Sequence, residues 1–131
     1  MGLVYSILHG IMHLLIVLLL YFSFSLNLFN FFLVLLATGI IDLDHIILIK
    51  KRGIRQGIKY WFKISWISQK SQKYPLHNFL TLIIFSSSSF LIFHLNFFSM
   101  GIFCLSIALH LLWDIFEDIF IFKVGVNHWK L

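Results

Sequence analysis

Charge is scarce in this sequence. Asp, Glu, Lys and Arg make up 11% of its 131 residues, where a soluble domain averages about 25%. Negative charge is scarcest, with five acidic residues against ten basic ones. Proline occurs once, at Pro75, and cysteine once, at Cys104. A single cysteine excludes a disulfide within the chain and a closed zinc site of the all-cysteine type. Set in an apolar run, Cys104 reads as a buried thiol. With so little proline, almost nothing interrupts long helices. Residues 1–8 hold no Lys or Arg, and the apolar run from Leu14 continues past signal-peptide length, so no cleaved leader is expected.

Apolar residues fill the space that charge leaves. They are 60% of the chain, sixteen of them Phe, and the mean hydropathy is +0.97. A water-soluble fold of this size could not hide that much apolar surface. Crossing a bilayer takes about 20 residues per helix. On that measure the chain is an all-α polytopic membrane protein, a single domain over 1–131 with four transmembrane helices at 3–26, 28–49, 75–93 and 100–122. Pro75 suits the first turn of the third helix. The run Ser86, Ser87, Ser88 and Ser89 suits close helix packing.

Eight of the ten basic residues, Lys50, Lys51, Arg52, Arg55, Lys59, Lys63, Lys70 and Lys73, fall between helices two and three. The positive-inside rule places this loop in the cytoplasm, with both termini on the same side of the cell membrane. Basic residues gathered this way point to topology and anionic lipid headgroups rather than to nucleic acid. Ile54, Ile58, Trp61 and Phe62 follow helical spacing, so the loop is either an interfacial helix or a solvated basic segment.

The acidic residues occupy two short segments. Asp42 and Asp44 precede His45, while Asp114, Glu117 and Asp118 follow His110. A carboxylate near bilayer depth costs about 2.5–3.5 kcal/mol and needs a partner, a cation or a proton. The predicted topology carries His9 and His13, then Asp42, Asp44 and His45, then His77 and Asn78, then His110, Asp114, Glu117 and Asp118 to the inner half of four helices. Asp42 and Asp114 each lie roughly 20 Å from the outer ends of their helices at 1.5 Å per residue. His94 falls at the outer end, apart from the rest. Glu117 and Asp118 are the members best placed to reach the interface or pair with nearby Lys instead.

The spacings within each segment suit shared ligation. His9 and His13 are four apart, as are His110 and Asp114, and Asp42 and His45 are three apart. Imidazole with carboxylate suits Zn²⁺, and also Mn²⁺ or Fe²⁺. His9, His13, Asp42, His45, His77, His110 and Asp114 are the metal-ligand candidates, and Asp44 or Asp118 the general base of a hydrolytic site. Intramembrane His and Asp also form proton or metal-ion paths, so a transport component is the alternative, alongside a non-catalytic membrane binding protein.

At these residues the chain resembles the YdjM-like inner-membrane proteins, described as membrane-bound metal-dependent hydrolases. The matching pieces are His9 or His13, Gly-Ile-Ile-Asp-Leu-Asp-His at 39–45, His77, and His-Leu-Leu-Trp-Asp at 110–114. They occur in family order over residues 9–118. Ile41 stands where the family has proline, and Pro-Leu-His-Asn at 75–78 keeps one of its two histidines before the third helix. The family is distantly similar to zinc-dependent phospholipase C. The resemblance implies phosphoester hydrolysis on an amphiphilic, lipid-like substrate, with association of identical copies left open.

Overall fold

The computed structural model describes residues 2–43, 75–121, 123 and 125–130. The basic loop with its interfacial stretch, and the candidates Asp44 and His45, lie outside the described residues. Everything described is helix or short connection. Helix α1 is Gly2–Ser23, α2 is Leu28–Ile41, α3 is Phe79–His94 and α4 is Phe98–Phe116. Helix α4 continues as a π-helical turn, Glu117–Ile121, and a short 3₁₀ turn follows at Asn127–Trp129.

Local chemistry sets these boundaries. Helices α1 and α3 both end in left-handed residues, Ser25 at φ 48° and Asn96 at φ 62°. In each, the next amide closes back five residues, Leu26 to Tyr21 O and Phe97 to Ile92 O, both at 3.1 Å. These are Schellman closures, which turn the chain within a few residues and leave consecutive helices antiparallel. Helix α2 starts at an Asn27 cap whose side chain accepts from Asn30 N at 2.9 Å. Helix α3 begins at Phe79 and not at Pro75. Asn78 caps it, accepting from Thr81 N at 2.9 Å while its Nδ2 donates to Pro75 O at 2.6 Å. An asparagine cap satisfies an orphan amide that proline at the first position would not, so 75–78 become a bend carrying His77 beneath α3.

Helix α4 is the hub, since α1, α2 and α3 all pack on it. Toward the outer end, Val17, Leu20, Leu26, Val34 and Ile102 form one apolar cluster. Toward the inner end, Ala37, Ile41, Ile107, Leu111 and Trp129 form a second. The bundle's outward surface is apolar too, with Phe90 80%, Phe22 73% and Leu28 70% exposed. The 24-residue stretch Phe98–Ile121 is long and apolar enough to cross a membrane, while Ile7–Ser23, Leu28–Ile41 and Phe79–His94 are shorter apolar helices. Cys104 is buried, as expected. Of the four serines in α3, Ser89 is the buried one, and its hydroxyl donates to Gly101 O on α4 at 3.1 Å.

Two glycines give opposite expectations. A Cβ on Gly101 would stand 2.8–3.0 Å from the Phe93 ring, which is itself held between Phe24 and Phe98. Gly39 faces open space. Gly101→Ala is expected to cost about 1–3 kcal/mol through overpacking. Gly39→Ala should be neutral or add up to about 1 kcal/mol through helix propensity. Thermal melting of the two variants in one detergent checks the contrast, and equal melting would contradict the α3–α4 contact.

Candidate metal centre

The histidines extend the apolar stripes that hold the bundle together. On α1 the series His9, His13, Val17, Leu20 steps by four, four and three, which keeps one helical face turned to α4. On α2 the buried face runs Asn30, Val34, Ala37, Ile41, and Asp42 follows as its C-cap. On α4, His110, Asp114 and Glu117 continue the inward stripe, and all three are buried. His77 reaches the same place from the bend before α3. The ligand-type side chains therefore sit at core positions, on faces turned toward one another.

The Asp114 carboxylate lies at the centre. Its Oδ1 is 3.7 Å from His9 Nδ1 and 3.9 Å from His13 Nε2. Its Oδ2 is 3.1 Å from His77 Nε2 and 3.3 Å from His110 Nε2. Asp42 Oδ1 faces the same two rings, 3.6 Å from His77 Nε2 and 3.4 Å from His110 Nε2. His9 Nε2 and His13 Nε2 approach to 2.8 Å, and the His13 and His110 rings stack with centroids 3.8 Å apart. Two sets of donor atoms each lie within 4.8 Å of one another: His9, His13, His110 and Asp114, and Asp42, His77 and His110. His110 belongs to both.

Hydrogen bonding does not account for this crowding. Both ring nitrogens of His110, both carboxylate oxygens of Asp114 and Nδ1 of His13 are buried without a hydrogen-bond partner. Buried polar atoms are nearly always satisfied, because each one left bare costs about 1–3 kcal/mol. Donor atoms that stand close yet miss one another's hydrogen-bonding directions suit a shared central cation. The nitrogen and oxygen donor set is the one Zn²⁺, Mn²⁺ and Fe²⁺ accept.

Of the candidates expected from the sequence, His9, His13, Asp42, His77, His110 and Asp114 come together. His94 is exposed at the far end of α3, apart from them. Asp118 is engaged by the chain's later residues. Its Oδ2 accepts from Trp129 Nε1 at 2.7 Å and is 2.7 Å from His128 Nε2. That anchor holds Trp129 at 1% exposure, its ring 6.0 Å from that of His77. Glu117 does not reach outward either. Its Oε2 accepts from His9 Nδ1 at 3.0 Å and its Oε1 from Trp113 Nε1 at 2.7 Å. Its signal was in the spacing, seven residues beyond His110 and three beyond Asp114 on one helical face.

Compared with protein-family models, with curated proteins and with solved structures, the chain matches none of them. What it can do rests on its own geometry: a buried cluster of imidazoles and carboxylates that could hold a divalent metal ion.

Proposed function

We propose that this chain is a membrane-embedded, metal-dependent hydrolase acting on a phosphoester or similar lipid-like substrate at the cytoplasmic leaflet. The observation that carries the reading is the set of close, unsatisfied nitrogen and oxygen atoms around Asp114 and His110. They stand inside a bundle whose outer surface is apolar. Four crossing helices with the basic loop inside agree with that surface and with the common end at which the ligands gather. The resemblance to YdjM-like proteins points the same way.

The parts divide naturally. His9, His13, His110 and Asp114 would hold one cation, with Asp42 and His77 beside His110 as further donors. Zinc suits them best, and manganese or iron would also fit. Such an ion supplies Lewis acidity and lowers the pKa of a coordinated water. The protein's own contribution is position and dryness. Ile41, Ile107 and Leu111 are buried above the site, and Trp129 closes part of its wall. Asp42 is the most open member, its side chain 32% exposed against 7% for Asp114, so substrate would enter beside it. Asp44 remains the general-base proposal; the carboxylate of Asp118 holds the tail.

Transport finds less support. The hydroxyls of Thr38 and Ser106 donate to their own helices, at Leu35 O and Ile102 O, and that of Ser89 to Gly101 O. Groups bound in this way make a poor relay toward the outer face.

Three measurements test the proposal. Purified protein should contain zinc, manganese or iron by elemental analysis, and a chelator should lower its melting temperature and abolish phosphoester hydrolysis. Asp114→Asn should retain the fold, melt no lower than the metal-free natural protein, and bind metal at least 10–100-fold more weakly, the loss typical even of outer-shell changes. A chelator without effect on melting or activity, together with a silent Asp114→Asn, would falsify the hydrolase reading. For topology, cysteines placed in the 50–73 loop should resist membrane-impermeant labelling in intact cells, and labelling from outside would reverse the orientation.

A further inference from the structure

Glu117 lies outside both donor sets, yet it is 1% exposed within an apolar bundle. An ionised carboxylate buried so completely needs strong compensation. Both its oxygens are accounted for by side chains. Oε2 accepts from His9 Nδ1 at 3.0 Å, across from α4 to α1, and Oε1 accepts from Trp113 Nε1 at 2.7 Å, one turn back on α4. The Glu117–His9 bond joins residues 108 apart in sequence.

An ionised carboxylate can only accept. His9 must therefore carry its proton on Nδ1 to meet Glu117, which leaves Nε2 with its lone pair. That Nε2 is the atom lying 2.8 Å from His13 Nε2, inside the donor set with His110 and Asp114. Trp113 has one donor and no acceptor, so its indole can only hold the carboxylate in place. The backbone contributes as well. Glu117 opens the π-helical turn, a rare geometry found mostly at functional sites. The turn leaves Glu117 directed to His9 and the next residue, Asp118, directed to Trp129 and His128.

We propose that Glu117 is a positioning residue for the metal centre: by accepting the Nδ1 proton of His9, with Trp113 holding the carboxylate, it fixes the tautomer that presents His9 Nε2 to the cation. The inference rests on the metal-centre reading above. Carboxylate partners of this kind typically change metal affinity about 10–100-fold.

The test uses the full chain in detergent, with Co²⁺ as a spectroscopic probe. Glu117→Gln keeps an acceptor without the charge; Glu117→Leu removes both; Trp113→Phe frees the carboxylate. Nitrogen NMR of the metal-free natural protein should show His9 protonated at Nδ1, and Glu117→Leu should lose that preference. Co²⁺ affinity should fall about 10–100-fold in Glu117→Leu and less in Glu117→Gln and Trp113→Phe, with altered visible absorption of bound Co²⁺. A purely structural role would lower melting in these variants and leave affinity and spectrum unchanged. Natural protein that binds Co²⁺, with unchanged affinity and spectrum in all three variants, overturns the role of Glu117 alone. Natural protein that binds no Co²⁺ overturns the metal centre itself, and this role with it.

Discussion

The whole inner half of the bundle depends on one constraint, the cost of keeping Asp114 inside it. The carboxylate is 5% exposed and takes no hydrogen bond, yet four imidazoles from three different segments and its own helix crowd around its two oxygens. Each neighbour is buried in turn, so each needs the others. The two oxygens face different pairs of rings, which makes Asp114 the point where α1, α4 and the bend before α3 meet. Helix α4 could not serve as hub without this agreement, because the partners of its apolar stripe arrive on the same three elements.

Much of this could be read from residue order. The depth argument brought His9, His13, Asp42, His77, His110 and Asp114 to one end because short turns force antiparallel helices, and position along an antiparallel helix is simple counting. It worked without contact information. The same counting erred where local hydrogen bonding decides. Pro75 satisfies a helix-start rule, but Asn78 offers a side-chain acceptor to Thr81 N and wins the boundary. Glu117 and Asp118 looked like residues bound for the interface because they are charged and near a helix end. Their burial depends on Trp113, Trp129 and His128, whose indole and imidazole donors reach them through a π turn that no hydrophobic period announces.

The division of labour within the acidic segment 114–118 follows from that turn. Three carboxylates lie within five residues of one helix, where mutual repulsion would be severe if they faced the same space. They face different partners instead: Asp114 the central rings, Glu117 the outer nitrogen of His9, Asp118 the tail. One stretch of helix thus touches the candidate cation site, its support and its wall. Separating these functions by mutation is feasible because their partners do not overlap.

A π turn is equivalent to an α-helix carrying one additional residue. Excising a residue from 119–121 would restore the ordinary pitch and swing everything after it by about 100°, carrying His128 and Trp129 away from Asp118 while leaving every histidine of the cluster where it stands. The same excision before His110 would rotate the ring and Asp114 out of the bundle together. Length variation along this helix should therefore be tolerated on one side of Glu117 and lethal to the site on the other, an asymmetry by which diverged relatives of this chain could be recognised when their residues no longer align.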